Sequence, residues 1–253
     1  MTKVCVLTGY GINADRELAV AFADAGAAVE CVHLQRILDS PARLEEYRII
    51  AFPGGFSFGD HLGSGLALAG IVRSHLLDAV HEFVARGGLV LGICNGFQVL
   101  VKSGLLPGGD GDSAPRASLV YNASGHFIDR WVSLRTGPAA AFSPWLAGIE
   151  TLILPIRHGE GRFVHASEDV RRATVSRTAF LYDADNPNGS ADDIAGVVDP
   201  TGRILGLMPH PEAAVRPHLF PQWQRRRPTE PLPARRLFAN GVNAGRSAFS
   251  RTQ

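Results

Sequence analysis

Gly87-Gly-Leu-Val-Leu-Gly-Ile-Cys-Asn-Gly96 is the stretch that decides how this chain folds. A short apolar strand pattern, Leu89 to Ile93, stops at a cysteine bracketed by Gly92 and Gly96, and a helix pattern starts at once with Phe97, Leu100 and Val101. A sulfur at such a strand-to-helix turn is presented, not packed away. It lies beside backbone N–H groups that lack a helical acceptor and favour negative charge. Flanking glycines suit the sharp turn called a nucleophile elbow, where a Cβ would collide with neighbouring backbone. A glycine-rich turn around a small buried cysteine fits the same ten residues, so partners for the thiol must be sought elsewhere in the chain.

Outward from this turn the pattern repeats. Lys3 to Leu7 reads as a buried strand, and Ala14 to Ala25 as a helix with apolar Leu18, Ala21, Phe22 and Ala25, ended by Gly26. Val29 to Val32 and Tyr47 to Phe52 are further strands, and Leu66 to Arg86 reads as one long helix closed by Gly87. Strands alternating with helices predict an α/β protein with a parallel sheet and right-handed crossovers. Beyond Gly104 strand patterns dominate, at Trp131 to Leu134, Thr151 to Pro155, Ala179 to Tyr182, Ile194 to Val198 and Ile204 to Leu207. No polar linker separates the halves, so the later strands are expected to add antiparallel to the same sheet, within one domain over residues 1–253. Gly108-Gly-Asp-Gly-Asp112 is expected to form a short turn or mobile loop.

Composition excludes several classes. With 45% hydrophobic residues over 253 positions the chain can bury a large core without disulfides or metal. Three cysteines, Cys5, Cys31 and Cys94, are too few and odd in number for a disulfide framework, and they point to a reducing compartment. The start of the chain lacks a secretory pattern, and no apolar run approaches the roughly 20 residues of a membrane span. A cytoplasmic protein without a membrane partner is expected. The net charge of +1 is uneven, because residues 216–253 carry eight Arg against one acidic residue. Five prolines (Pro217, Pro221, Pro228, Pro231, Pro233) lie among Arg225, Arg226 and Arg227, which predicts an irregular surface segment at about 216–236. Only Phe220 and Trp223 interleave these arginines and no nucleic-acid module accompanies them. No nucleic-acid partner is expected, and the segment is either a protein-docking arm or a solvated loop.

A cysteine nucleophile needs a base, and the base an orienting group. Of nine histidines, His75 and His81 sit on the predicted long helix as surface residues, whereas His210 follows a strand in Met-Pro-His-Pro-Glu, residues 208–212. The prolines disfavour helix, and in an extended segment His210 and Glu212 project to one side as base and orienter. Two loops also follow strands, where open α/β sheets bind ligands. Pro53-Gly-Gly-Phe-Ser-Phe-Gly-Asp60 offers backbone donors of the kind that stabilise an acyl-transfer oxyanion, and Arg157-His-Gly-Glu-Gly-Arg162 suits either a substrate rim or a solvated turn. Neither a P-loop, a dinucleotide fingerprint, a Cys-x-x-Cys pair, a zinc spacing nor Gly-x-Ser-x-Gly occurs, so no metal site is expected.

Pro53 to Asp60, Gly92-Ile-Cys-Asn-Gly-Phe-Gln98, His158-Gly-Glu-Gly-Arg162 and Met208 to Glu212, in this order, resemble the class I glutamine amidotransferases. Within them the match is to the group serving the formylglycinamidine ribonucleotide synthetase of purine synthesis. An amidotransferase serving another synthetase is the alternative. Gly11-Ile-Asn-Ala-Asp15 and Asn186-Pro-Asn-Gly-Ser190 agree, and the resemblance spans about Lys3 to Glu212. It implies a flavodoxin-like open sheet flanked by helices, with added antiparallel strands. It also implies that Cys94 attacks the glutamine carboxamide, His210 relays protons and Glu212 orients the imidazole. Gly54, Gly55, Asn95, Gln98, His158 and Gly159 correspond to substrate-binding positions. The ammonia would pass to a separate synthetase, joined by a small accessory subunit. ATP and Mg would be held by that partner, with no cofactor in this chain, and the isolated chain would turn over slowly. Arg157 stands where many such proteins have a small residue, His61 replaces an aromatic or aliphatic one, and the Arg/Pro segment is longer than usual.

Overall fold

The first half alternates as its pattern requires, with β1 (Lys3–Thr8), α1 (Asp15–Asp24), β2 (Ala28–His33), α2 (Leu34–Asp39), β3 (Ile49–Phe52), α3 (Leu66–His75), α4 (Leu77–Ala85), β4 (Leu89–Ile93) and α5 (Asn95–Lys102). Then come β5 (Ala117–Val120), β6 (Ile128–Thr136), β7 (Thr151–His158), β8 (Arg162–His165), α6 (Glu168–Val175), β9 (Thr178–Tyr182), β10 (Ile194–Val198), β11 (Ile204–Leu207), α7 (Trp223–Arg226) and α8 (Pro233–Ser247). These elements belong to a computed structural model that describes residues 1–108, 115–221, 223–226 and 232–247. Nine strands form one sheet in the order β2-β1-β3-β4-β11-β10-β9-β6-β7, and β5 pairs with β8 in a small second sheet. Every residue of β3, β4 and β11 is buried, as continuous apolar runs covered on both faces must be.

The structure corrects the expected topology at one informative place. Ile204–Leu207, expected among the antiparallel additions, runs parallel to β4 with Leu207 beside Ile93. It completes a five-stranded parallel unit, β2-β1-β3-β4-β11, of flavodoxin-like order. The antiparallel strands β10, β9, β6 and β7 continue the sheet beyond it. The chain thus leaves the parallel unit after α5 and returns to it, which strand patterns alone do not reveal.

Other departures have local causes. The expected helix over 66–86 breaks at Leu76, a buried residue with φ −124°. A straight helix of that span would run about 30 Å, longer than the strands of four to six residues it covers. The break lets each half bury its own stripe, Leu68, Ala69 and Val72 in α3 and Val80, Phe83 and Val84 in α4. His75 and His81 are exposed, as expected. The prolines of the basic segment do not prevent regular structure. Pro217 opens a 3-10 turn and Pro233 starts the fifteen-residue α8, because the first helical position needs no N–H. Leu237, Phe238 and Val242 of α8 are buried, Phe238 lies edge-on to Phe22, and Thr2 Oγ1 donates to Val242 O at 2.8 Å. Residues 109–112 of the glycine-rich turn, and 222 and 227–231 of the basic segment, lie outside the described residues.

A buried polar chain fixes the loops at the carboxyl ends of the strands. Ser57 N–H donates to Asn95 Oδ1 at 3.1 Å, Asn95 Nδ2 to Gln98 Oε1 at 2.9 Å, and Gln98 Nε2 to Glu160 O at 2.6 Å. The Glu160 carboxylate accepts from Ser64 N–H through both oxygens and from Lys102 Nζ at 3.2 Å. Two loops distant in sequence, that between β3 and α3 and that between β7 and β8, are thereby tied to α5. The Lys102–Glu160 pair is nearly enclosed, with side chains 10% and 7% exposed, so removing one partner leaves a buried charge. Lys102→Met is expected to destabilise the protein by about 3 kcal/mol or more, and Lys102→Met with Glu160→Leu to recover much of it, in urea unfolding. Backbone approach is equally tight at Gly96, where a Cβ would lie 1.9 Å from Phe52 O. Gly96→Ala is expected to cost about 3 kcal/mol. Gly70→Ala, in α3 with nothing within 4 Å of its Cβ, should instead stabilise by about 0.5–1 kcal/mol in the same measurement.

Candidate active site

Cys94 follows β4 with φ 51° and ψ −106°, a conformation rare for a residue with a side chain. The turn survives because its surroundings over-determine it. Gly96 lets α5 close onto Phe52, Gly92 faces the Gly96 carbonyl, and Cys94 N–H donates to Leu207 O at 2.9 Å. Against expectation the residue is buried, 6% exposed, because the turn aims the thiol into a small pocket and not into solvent. The other cysteines lie away from that pocket. Cys5 is buried in β1 and burial pushes its thiol up to about 12, while Cys31 is exposed on the outer strand β2. Among the described residues, no group of three or more His, Cys, Asp or Glu is placed to hold a metal ion, and no helix is long and apolar enough to cross a membrane.

Parallel pairing of β4 and β11 brings the segment after β11 alongside the cysteine. His210 N–H donates to Pro155 O at 2.9 Å, and His210 Nδ1 meets Glu212 Oε1 at 2.6 Å, with both side chains almost fully buried. The pair forms as expected but not by extended geometry. Pro211 opens a 3-10 turn over Pro211–Ala214, so Glu212 reaches back to the imidazole from its second position. A carboxylate only accepts, so Nδ1 carries the proton and Nε2 is left to accept one. Burial is the largest influence on His210 and pulls its pKa down. The charges of Glu212 and Cys94 and the hydrogen bond to Glu212 outweigh it, so the imidazolium is favoured above its ordinary range. Nε2 has no hydrogen-bond partner, and Cys94 Sγ instead points to Arg157 O at 3.6 Å. Resting geometries of this kind tighten when substrate binds.

Asn13, Gly55, Phe56, Phe127 and Arg157 line a pocket of about 150 Å³ with Cys94 and His210. Gly55 has φ +145°, and at Gly54 a Cβ would lie 2.9 Å from His210 Cε1, so these glycines make room for the His210 ring beside Cys94. Asn95, Gln98, His158 and Gly159 do not line this pocket. Asn95 and Gln98 spend their amides in the polar chain described above, while Asn95 N–H starts α5 and lacks an acceptor within the helix. His158 is buried with Nδ1 3.0 Å from Asn122 Oδ1, and Gly159 O accepts from Asn122 N–H. Burial above all, then the charge of His210, lowers the His158 pKa to about 4, which keeps it neutral. His61 borders a separate, larger cavity of about 670 Å³ lined by Lys102, Glu160 and Tyr121. Sequence reasoning missed Asn13, Phe56 and Phe127 as pocket residues, although Asn13 and Phe56 stood inside the matched segments, and it missed the Lys102–Glu160 pair. Lys102 carried no signal beyond a basic residue at a helix end.

The chain is similar to known proteins over nearly its whole length. Residues 1–243 match the model of the CobB/CobQ-like glutamine amidotransferase domain. The chain is 40% identical to the phosphoribosylformylglycinamidine synthase subunit PurQ of Dehalococcoides mccartyi, over 96% of this chain and 98% of that protein. Identity to the same subunit of Cereibacter sphaeroides is 45%, over 84% of this chain and 89% of that one. A chain in the structure of PurLQS from Thermotoga maritima superposes with a TM-score of 0.72 at 32% identity, covering 96% of this chain and 98% of that one. A glutamine-amidotransferase match over nearly the whole length, with relatives of one name at this identity, leaves one assignment: the chain belongs to the PurQ family of glutamine amidotransferase subunits.

Proposed function

We propose that the chain hydrolyses glutamine at Cys94 and delivers the ammonia to a separate ATP-dependent synthetase that makes formylglycinamidine ribonucleotide in purine biosynthesis. The observation that carries the chemistry is the junction of Cys94 with the buried His210–Glu212 pair, joined by the β4–β11 pairing. The names of the relatives and the PurLQS assembly support the partner. ATP and Mg are assigned to that partner, with a small accessory subunit beside it and no cofactor in this chain. One amidotransferase unit over 1–253 is part of the same reading, supported by the family match over 1–243.

The steps follow from the residues. Cys94 gives its proton to His210 Nε2 and its sulfur attacks the carboxamide carbon of glutamine. The oxyanion lies against backbone N–H groups of Gly55 and Asn95, donors that do not move during reaction. Glu212 holds the proton on Nδ1 and offsets the imidazolium charge. His210 returns the proton to the leaving nitrogen, ammonia departs, and a γ-glutamyl thioester remains. Water, losing a proton to Nε2, then cleaves the thioester to glutamate and restores the thiol. Gln98, His158 and Gly159 serve the substrate by holding the loops that bound the pocket, while Gly54 and Gly55 keep it open. Ammonia protonated in bulk water is no nucleophile, so transfer demands a docked partner.

Cys94→Ala is expected to lower glutamate release by about a thousandfold or more, alone and with the synthetase. Activity unaffected by it would remove the nucleophile assignment. Glu212→Gln should cost about 10²- to 10⁴-fold in kcat. The carboxylate favours the imidazolium, so without it the proton leaves His210 more readily and the alkaline limb of the pH–rate profile should move to lower pH. A limb that stays in place would argue against Glu212 as orienter.

A further inference from the structure

Arg157 touches both catalytic partners from a single position at the end of β7. Its carbonyl accepts from Cys94 Sγ at 3.6 Å, and its Nη2 lies 3.2 Å from His210 Nδ1. The same Nη2 is 3.3 Å from Glu17 Oε2 on α1, with the Arg157 and Glu17 side chains 38% and 51% exposed. Arg157 lines the triad pocket and also a groove of about 500 Å³ bordered by Arg16, Glu17 and Arg216, so the guanidinium has room to withdraw.

The contact with Nδ1 conflicts with the role of Glu212. Guanidinium only donates and carboxylate only accepts, so one ring nitrogen cannot serve both. When Nδ1 donates to Glu212, Nε2 is free to take the cysteine proton. When Nδ1 accepts from Arg157, the proton sits on Nε2 and the ring cannot act as base. The groups facing His210 are Glu212 on its own turn, Cys94 before α5, and Arg157 and His158 on β7. Arg157 is the permanent cation among them, and Asp129 stands opposite it in the β6–β7 register. Its charge also opposes the imidazolium that forms when the thiol is deprotonated.

We propose that the Arg157 side chain is a brake on the triad: it competes with Glu212 for His210 Nδ1, and its ion pair with Glu17 sets how strongly it presses. The proposal rests on the Cys94–His210–Glu212 reading above and makes Arg157 a positioning residue acting through His210. The proton path is unchanged, from Sγ to Nε2 and on to the leaving nitrogen. The brake alters the fraction of imidazole able to accept that proton and the stability of the imidazolium that results.

The test is steady-state glutamate release by the full chain without its synthetase, from about pH 6 to 10. Arg157→Gln and Arg157→Ala should raise kcat about tenfold, equivalent to about 1.4 kcal/mol of barrier, with KM within about threefold. Arg157→Lys, which keeps the cation, should stay near the parent. With the cation gone the imidazolium holds its proton longer, so the alkaline limb of Arg157→Gln should move to higher pH. Glu17→Gln, a surface change that reads the device in the opposite direction, should lower kcat. A fall in kcat, an unchanged rate or a raised KM without faster turnover in Arg157→Gln would overturn the brake. Cys94→Ala separates the two claims. Residual activity there overturns the triad, and the brake with it, whereas an inactive Cys94→Ala beside an unaccelerated Arg157→Gln overturns the brake alone.

Discussion

The hydrogen bond from Cys94 N–H to Leu207 O is the contact on which the site depends. It continues the β4–β11 ladder one residue past the end of β4, and it holds a backbone that a side-chain-bearing residue rarely adopts. Such a conformation costs on the order of 1–3 kcal/mol and persists only where neighbours enforce it. Here the enforcement comes from the ladder on one side and from Gly96 against Phe52 on the other. The strand that accepts the bond also delivers His210 three residues later, so sulfur and imidazole are positioned by the same pairing.

This arrangement explains why the chain leaves the parallel unit before completing it. The antiparallel strands are not an appendage to the chemistry. Pro155 of β7 accepts the His210 N–H, and Arg157 of β7 accepts the cysteine thiol. The loop after β7 carries Glu160, whose carboxylate and carbonyl gather Ser64, Lys102 and Gln98. Burying these groups stabilises the loops because the Glu160 carboxylate, Lys102 Nζ and the amides of Asn95 and Gln98 find partners, and a half-completed network would be worse than an apolar one. Rigid loops are what preorganised oxyanion donors need.

Much of this was legible in the sequence, for physical reasons. The strand-to-helix change at Cys94 has one local cause, an apolar run broken by glycines, and it was read correctly. The meeting of His210 with Glu212 was legible too, though not through extended geometry, since Pro211 sets up a 3-10 turn that presents the two side chains to each other. The direction of β11 was not legible, because four buried residues look alike in a parallel or antiparallel ladder. Helix α8 hid behind its prolines and internal glycines, although Pro233 at a first helical position and the apolar Leu237, Phe238 and Val242 are its signal. The Lys102–Glu160 pair was illegible for a different reason, since only the folded loops bring residues 58 positions apart to 3.2 Å.

The resting site is therefore built but not engaged. Cys94 Sγ turns to the Arg157 carbonyl while His210 Nε2, buried, is left without a partner. An unsatisfied buried acceptor costs on the order of 1–3 kcal/mol, a cost recovered once the thiol turns toward it. Both the carbonyl that holds the thiol and the guanidinium that faces the imidazole belong to residue 157. A small movement at the end of β7 would loosen both contacts together, so engagement is coupled through one backbone position. Exposure of Arg157 and Glu17 beside an open groove puts that position within reach of a docked protein. On the proposed brake, a protein docked in that groove would reach the residue that governs base formation, and a subunit whose product is useful only when a partner waits to consume it would gain from such a placement.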